Sequence, residues 1–140
     1  MTEASRYFID SNIWIYALSD DDIEKGEKAR ELARRHKGSI FFSSQVANET
    51  CLNLKKKSAM TEVEIRRLIT SFFVNHNYVE MSESTLVGAS ELRDRHPFSY
   101  WDSLLVMAAY RAEVDIFYSE DMKDGFVLNN RMKIVNPFNS

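Results

Sequence analysis

Residues 7–18 read YFIDSNIWIYAL, and this stretch indicates how the whole chain is organised. A short apolar, β-prone run ends at Ile9, and residues 10–12 are Asp, Ser and Asn, which favour turns and helix caps. The apolar side chains that follow recur with helical spacing at Ile13, Tyr16 and Ala17. The order predicts a strand, a tight turn and a helix, with Asp10 at the carboxyl end of the strand.

Asp10 has two interpretations. Asp, Ser and Asn are the ordinary helix-capping residues, so Asp10 taken alone is more simply a cap. In an open parallel α/β sheet, however, ligands bind at the carboxyl ends of the strands. The same position therefore also makes Asp10 a candidate site residue.

The composition indicates a single globular domain. The chain has 140 residues, 44% of them hydrophobic, and a formal net charge of -3, so it lacks the strongly basic balance of a general nucleic-acid coat. We expect residues 1–140 to form one domain. Residues 1–6 carry no apolar signal region, no apolar run approaches the roughly 20 residues that span a bilayer, and Cys51 is the only cysteine. These features predict a cytoplasmic protein with no membrane segment.

Short apolar strands alternate with helices along the chain. Beyond residues 7–9, strands are predicted at residues 40–42, 78–81, 114–118 and 133–135. Helices are predicted at about residues 23–36, 45–57, 61–76, 84–96 and 103–112, and Thr61 to Glu64 and Ser99 to Asp102 both have the capping-box pattern. The alternation predicts an α/β fold with a central parallel sheet, in which strand ends and first helical turns share one edge.

Four acids are expected at that edge. Asp10 and Asp121 follow predicted strands, and Glu49 and Asp102 lie in early turns of predicted helices. Each has a local structural alternative, as a cap, an exposed helix acid, a capping-box partner or a turn residue. Together, however, clustered carboxylates repel one another unless a cation neutralises them, which suggests a metal. All-oxygen ligands favour Mg²⁺ or Mn²⁺ over Zn²⁺, and such ions activate water for phosphoryl chemistry in one-metal or two-metal sites.

Other kinds of site lack their motifs. His36, His76 and His96 show no paired spacing for zinc, and the four glycines form neither a phosphate loop nor a dinucleotide fingerprint. Ser11 lacks the G-x-S-x-G elbow of a serine nucleophile. Acyl transfer and P-loop nucleotide hydrolysis are therefore excluded.

Four segments in order resemble the motifs of PIN-domain ribonucleases, and specifically of the VapC-like toxins of toxin-antitoxin pairs. They are DSNIWIYA at residues 10–17, SQVANE at 44–49, SYWDSLL at 99–105, and SEDMKDG at 119–125 with NPF at 136–138. The likeness spans nearly the whole chain. It implies a three-layer α/β/α fold with a central parallel sheet, Mg²⁺- or Mn²⁺-dependent cleavage of RNA, and homodimerisation. It also implies a cognate antitoxin whose C-terminal segment occupies the active-site groove.

The resemblance also implies roles for particular residues. The family's acidic quartet corresponds to Asp10, Glu49, Asp102 and Asp121. Asn12 and Ser119 correspond to supporting polar residues near it. Asp124 lies on the same turn as Asp121 and is the second candidate for the fourth acid.

Three functions follow as hypotheses. The first is a metal-dependent endoribonuclease in which Asp10, Asp102 and Asp121 ligate the ion and Glu49 ligates it or orients the attacking water. The second is a non-catalytic PIN-like module that binds RNA or acts as a scaffold. The third, a receiver-like phosphoacceptor domain, needs a lysine just after the last core strand, where this chain has Ser119 and Glu120.

The helix predicted at residues 61–76 has an apolar face wide enough for two surfaces. We expect this helix, together with the one at residues 21–36, to form the surface that binds the antitoxin.

Overall fold

The structure, a computed structural model, describes residues 5–139. The prediction that no signal region is present was made for residues 1–6. Residues 1–4 of this segment lie outside the described part of the chain. Among the described residues, no helix is long and apolar enough to cross a membrane.

A six-stranded sheet lies at the centre of the protein, in the order β3-β2-β1-β4-β6-β5. The strands are β1 (Tyr7–Ile9), β2 (Ile40–Phe42), β3 (Asn77–Tyr78), β4 (Ile116–Tyr118), β5 (Val127–Leu128) and β6 (Met132–Val135). All neighbouring strands are parallel except β5 and β6. The central strand β1 places Tyr7 opposite both Ile40 and Ile116.

Within residues 5–139, six helices flank the sheet: α1 (Ser11–Leu18), α2 (Ile23–Arg35), α3 (Ser44–Ser58), α4 (Glu62–Asn75), α5 (Glu83–Arg95) and α6 (Tyr100–Arg111). Helices α1 to α4 pack on one another, and α5 packs on α6. The predicted α/β/α architecture with a central, mostly parallel sheet is confirmed.

Aromatic and aliphatic side chains of the central strands form the core. Phe8, Phe42 and Phe117 are completely buried, and the rings of Phe8 and Phe117 stack with centroids 5.0 Å apart. On the α1 side, Trp14 meets Phe72 of α4 edge-on at 5.3 Å. Each such buried side chain contributes about 1.5–3 kcal/mol relative to exposure, so short strands of three residues are held mainly by their packing.

The helix starts follow the capping signals in the sequence. At the start of α4 the Thr61 hydroxyl accepts a hydrogen bond from Glu64 N–H, and the Glu64 carboxylate accepts one from Thr61 N–H, which completes the predicted capping box. Ser99 caps α6 through one of the two hydrogen bonds of a capping box, by accepting from Asp102 N–H at 3.1 Å. The two boundaries confirm that local hydrogen-bond chemistry determines where these helices begin.

Three predicted strands differ from the structure in their bounds, and one strand was not predicted. The third strand covers residues 77–78 rather than 78–81, β4 begins at Ile116 rather than Val114, and β6 begins at Met132 rather than Lys133. Strand β5 was not predicted because it has only two residues. The loop that joins β5 to β6 contains Asn129 and Asn130, which both have left-handed backbone angles. None of these differences moves the edge of the sheet at which Asp10 lies.

Candidate active site

The four predicted acids are positioned by β1, β4, α3 and α6. Asp10 follows β1 directly, and its N–H donates to Tyr118 O at 2.9 Å, which ties the end of β1 to the end of β4. Asp121 lies in the turn after β4, while Glu49 and Asp102 lie on the early turns of α3 and α6. Parallel pairing of β1 with β4 therefore brings the first and fourth acids to one edge of the sheet.

Asp10 is buried, with 6% of its surface exposed. Its Oδ1 accepts a hydrogen bond from Ser11 N–H at 2.7 Å, which caps α1, and its Oδ2 accepts one from the Ser119 hydroxyl at 2.9 Å. Burial raises the pKa of this carboxyl from 3.8 to about 6 against the effect of these two hydrogen bonds, and the negative charges of Asp102 and Glu49 raise it further. Asp10 is thus both a helix cap and a carboxylate whose pKa is raised by its negatively charged neighbours.

Ser119 links the end of β1 to the turn after β4. Its side chain is completely buried and, besides donating to Asp10, accepts the N–H groups of Asp121 and Met122, both at 3.3 Å. The hydroxyl therefore holds one acid directly and fixes the backbone from which a second acid projects.

Glu49 is held by two side chains on its own side of the crevice. Its Oε2 accepts from the Ser11 hydroxyl at 2.9 Å, and its Oε1 accepts from Gln45 Nε2 at 3.0 Å. Gln45 lies one helical turn before Glu49 on α3, a spacing at which helical side chains meet. Both contacts orient a carboxylate that carries no ion-pair partner among the described residues.

The pKa of Asp102 is raised by the same kinds of effect as the pKa of Asp10. Burial raises the pKa of its carboxyl, the Ser99 hydroxyl lowers it, and the charges of Asp121 and Glu49 raise it. The electrostatic effects join Asp10, Asp102, Glu49 and Asp121 into one acidic cluster.

Asp121 and Asp124 occupy different environments although they lie on one turn. Asp121 Oδ2 accepts from Asn12 Nδ2 at 2.9 Å, which connects it to α1. Asp124 instead accepts from Asn136 N–H at 2.9 Å and from Asn139 Nδ2 at 3.0 Å, and these hydrogen bonds lower the pKa of its carboxyl. The structure thus groups Asp121 with the acidic cluster and Asp124 with the C-terminal segment.

The donor set suits a hard divalent cation. It consists of carboxylate oxygens, one of them buried with its pKa raised, and hard cations prefer such oxygens. Within residues 5–139, no three His, Cys, Asp or Glu side chains converge as a preassembled metal site. The four acids act on one another through their negative charges, Asp102 and Glu49 on Asp10, and Asp121 and Glu49 on Asp102.

Glu120 was not among the predicted site residues. Its carboxylate accepts a hydrogen bond from the Tyr16 hydroxyl at 2.8 Å and pairs with the Lys25 ammonium, while Asn12 Oδ1 accepts from its N–H at 3.5 Å. These contacts fasten the turn that carries Asp121 to α1 and α2. Sequence alone gave no signal for them, because Lys25 and Glu120 lie 95 residues apart.

Comparison with known proteins assigns the fold to a family. A model of the PIN domain family matches residues 7–124, which include all four predicted acids. The chain belongs to the PIN domain family. The predicted resemblance to PIN domains is therefore confirmed, and a receiver-like domain is left without support.

Solved structures with the same fold include one described as a toxin-antitoxin complex and one described as a toxin. A toxin-antitoxin complex from Klebsiella pneumoniae has a TM-score of 0.73 and 17% identity, covering 96% of this chain and 98% of that chain. VapC20 of Mycobacterium tuberculosis, described as a sarcin-ricin-loop-cleaving toxin, has a TM-score of 0.63 and 15% identity, covering 79% and 86%. FitAcB of Neisseria gonorrhoeae has a TM-score of 0.65 and 9% identity, covering 96% and 99%. A search of curated proteins finds no match for this PIN domain.

Proposed function

We propose that the protein is a metal-dependent endoribonuclease that acts as the toxin of a toxin-antitoxin system. The observation that carries the proposal is the acidic cluster of Asp10, Glu49, Asp102 and Asp121, in which burial and, to a smaller extent, the neighbouring carboxylates raise the pKa values of both Asp10 and Asp102. The family match supports a PIN nuclease, and the solved toxin-antitoxin structures with this fold support the toxin assignment. A non-catalytic module that binds RNA or acts as a scaffold would not explain why the fold gathers these carboxylates.

In this proposal Asp10, Asp102 and Asp121 hold Mg²⁺ or Mn²⁺, and Glu49 holds it or orients the attacking water. When bound, the ion would act as a Lewis acid, which would activate water and offset the charge that develops on the phosphate. Asn12 and Ser119 keep Asp121 and Asp10 in place through the hydrogen bonds described above.

Glu49 is suited to orient water because both of its oxygens are already fixed, one by Ser11 and one by Gln45. Attack by water does not use the ribose 2′-hydroxyl. Replacing the nucleotide at the cleavage site by its 2′-deoxy form therefore leaves the bond cleavable, whereas a mechanism that forms a 2′,3′-cyclic phosphate stops.

The cleavage proposal is tested with purified protein and labelled RNA. We expect cleavage with Mg²⁺, none with EDTA, and recovery on addition of Mn²⁺, since oxygen ligands accept both ions. Asp10→Asn and Asp102→Asn each abolish cleavage while circular dichroism shows an intact fold. Activity that persists in EDTA, or in either well-folded variant, contradicts the proposed site. RNA binding by wild type without any turnover favours the non-catalytic module.

We further propose a cognate antitoxin and a homodimer as partners, with the protein acting in the cytoplasm. Helix α4 supports a protein partner because it leaves Val63, Phe73 and Val74 exposed. Co-expression with the product of a neighbouring small reading frame tests the antitoxin, because a stable complex should form and suppress cleavage. Sedimentation of the free protein tests the dimer.

A further inference from the structure

Ser43 is a buried serine between β2 and α3. It directly follows the last residue of β2, precedes the first residue of α3, and is 1% exposed. Its hydroxyl is buried and has no hydrogen-bond partner within residues 5–139. Burying a hydroxyl without a partner costs free energy, so such groups are rare in folded proteins and point to a partner that the chain itself does not supply.

Capping of α3 does not account for this hydroxyl. Ser43 occupies the N-cap position of α3, where a serine ordinarily accepts a hydrogen bond from an N–H group of the first turn. The N-cap side chains of the other five helices in the described part of the chain all accept such a bond, whereas Ser43 accepts none. The helix that Ser43 begins therefore leaves its hydroxyl unsatisfied.

The register of the sheet places Ser43 next to Asp10. Strand β1 lies between β2 and β4, and Phe8 in β1 pairs with the middle residue of each of these strands. Continuing the parallel register by two residues places Asp10 between Ser43 on one side and Ser119 on the other. The hydrogen bond of 2.9 Å from the Ser119 hydroxyl to Asp10 agrees with this register on the β4 side.

The side chain of Ser43 lies on the face of the sheet that α6 covers. Side chains alternate between the two faces, so Arg6 and Asp10 share one face, and the register gives Ser43 the same face. Arg6 Nη1 donates to Ala112 O at the end of α6, at 3.0 Å, which identifies this face as the one under α6. Asp102 lies in the first turn of α6. The unsatisfied hydroxyl is therefore on the side of the sheet edge where Asp10 and Asp102 act on each other.

A neutral hydroxyl in this position is suited to hold a water molecule that is bound to a metal ion. Mg²⁺ keeps several of its waters when it binds to a protein, and a water bound to a cation is a strong hydrogen-bond donor that needs an acceptor. The oxygen of a serine has two lone pairs that accept. Ser43 makes no direct hydrogen bond to Asp10, so a bridging water fits between the two side chains better than a direct contact does.

We infer that Ser43 is a positioning residue of the divalent-cation site, whose hydroxyl accepts a hydrogen bond from a water bound to the ion that Asp10 ligates. The inference rests on the metal site of the proposed function and not on its RNA substrate. The ion brings the partner that the hydroxyl lacks among the groups of the protein. Ser43 thereby adds to the affinity for the ion without being one of its ligands.

Titration calorimetry with Mn²⁺ tests this role without any cleavage. Ser43→Ala should weaken Mn²⁺ binding about tenfold, a loss typical of contacts that support a metal site. The melting temperature of Ser43→Ala in EDTA should not fall, because the metal-free protein loses no hydrogen bond. Ser43→Thr keeps the hydroxyl and should restore most of the Mn²⁺ affinity. If a well-folded Ser43→Thr binds Mn²⁺ as weakly as Ser43→Ala, the hydroxyl is not responsible and the inference is overturned.

Ser19→Ala is the matched control. Ser19 is also a buried serine whose hydroxyl has no partner in the part of the chain that the structure describes. It follows the C-terminal end of α1, whereas Asp10 caps the N-terminal end of that helix. Ser19→Ala should therefore leave Mn²⁺ affinity unchanged.

The outcomes separate this inference from the proposed function. If Ser43→Ala binds Mn²⁺ as wild type does while wild type cleaves RNA, the inference is wrong and the proposed function stands. If the melting temperature of Ser43→Ala in EDTA also falls, Ser43 serves α3 as a cap. If Ser43→Ala weakens Mn²⁺ binding but wild type never cleaves RNA, the inference stands and the cleavage proposal fails. A wild type that binds no Mn²⁺ overturns both.

Discussion

The carboxylate of Asp10 fits both interpretations of this residue, as a helix cap and as a site residue. One oxygen caps α1 through Ser11 N–H, and the other faces Ser119 and the acidic cluster. The capping role is local and was predictable from the sequence, as was the set of acids at the sheet edge. The hydroxyl contacts of Ser11 and Ser119 were less predictable, since they depend on where side chains from distant segments meet.

Asp121 and Asp124 provide a matched pair of acids on one turn. We expect Asp121→Asn to lower metal-dependent cleavage by roughly a hundredfold or more, because loss of a ligand should cost at least as much as loss of its supporting contacts. Asp124→Asn should change cleavage by no more than about threefold, since Asp124 contacts Asn136 and Asn139. Initial rates under saturating Mn²⁺ measure both. Equal losses in the two variants would assign a catalytic role to the second acid as well.

His76 links stability to pH. Its ring packs against Trp14 and Phe72, and burial lowers its pKa. Between the lowered pKa and the ordinary value of 6.5 the unfolded chain binds more protons than the folded one, so the free energy of unfolding falls as the pH drops below about 6.5. His76→Phe removes this proton linkage. Urea melts of both proteins from about pH 7.5 to 5.5 should show the wild type losing more stability, and parallel curves contradict the prediction.

At the scale of the elements, local signals predicted the helices better than the strands. Thr61 and Glu64 mark the start of α4 through hydrogen bonds between residues close in sequence. Strands β3 and β5 have two residues each, too few for any alternation of apolar and polar residues to be visible, and they exist through pairing with β2 and β6. The apolar segments of β1, β2 and β4 were predictable because their side chains fill the core on both faces of the sheet.

The pair formed by Lys25 and Glu120 joins two elements to the acidic turn. We expect Lys25→Met to weaken Mn²⁺ binding by roughly tenfold, as loss of a supporting contact does in other metal sites, because the turn that carries Asp121 loses its anchor on α2. Calorimetric titration of Mn²⁺ measures this without any cleavage. Lys28→Met is the control, since the one ion pair of Lys28 in the described part of the chain is with exposed Glu24 on its own helix. Similar affinities in the two variants show that the anchor does not position the site.

Helix α4 is expected to bind the antitoxin together with α2. Val63, Phe73 and Val74 remain exposed on α4, while Ile65 and Phe72 of the same helix are buried, so the helix has one face for the core and one for a partner. Hydrogen exchange should slow in both helices when the complex forms. Helix α5 serves as the internal reference. Unchanged exchange in α2 and α4 within a verified complex contradicts this assignment.

At the scale of the whole molecule, the fold brings acids that are far apart in sequence into electrostatic contact with one another. None of the ion pairs found in residues 5–139 involves Asp10, Glu49, Asp102 or Asp121. The alternation of strands and helices made this gathering predictable, because one edge of a parallel sheet collects every strand end. The exact separations were not predictable, since they depend on rotamers and on mutual repulsion.

That arrangement makes the metal-free fold less stable than it would be with one acid fewer. Repulsion raises the free energy of the native state more than that of the extended chain, so Asp102→Asn should melt at a higher temperature than wild type in EDTA. Burial and the charges of Asp121 and Glu49 raise the Asp102 pKa, so the penalty is fully present above the raised value, shrinks as the pH falls below it, and is gone below the ordinary value of 3.8. Glu91→Gln, an exposed change of the same net charge, should leave the melting temperature unaltered.

Adding Mn²⁺ should reverse the order of the two proteins. An ion that binds only the native state stabilises it by roughly 2.7 kcal/mol at a hundredfold excess over its dissociation constant. The wild type gains this stabilisation, whereas Asp102→Asn, which has lost a ligand charge, gains little. Thermal melts of wild type, Asp102→Asn and Glu91→Gln in EDTA and in Mn²⁺ give six melting temperatures. Asp102→Asn should melt highest in EDTA, and wild type and Glu91→Gln should gain from Mn²⁺. A wild type that is already more stable than Asp102→Asn in EDTA and gains nothing from Mn²⁺ means that Asp102 serves α6 as a capping partner of Ser99 and not the acidic cluster.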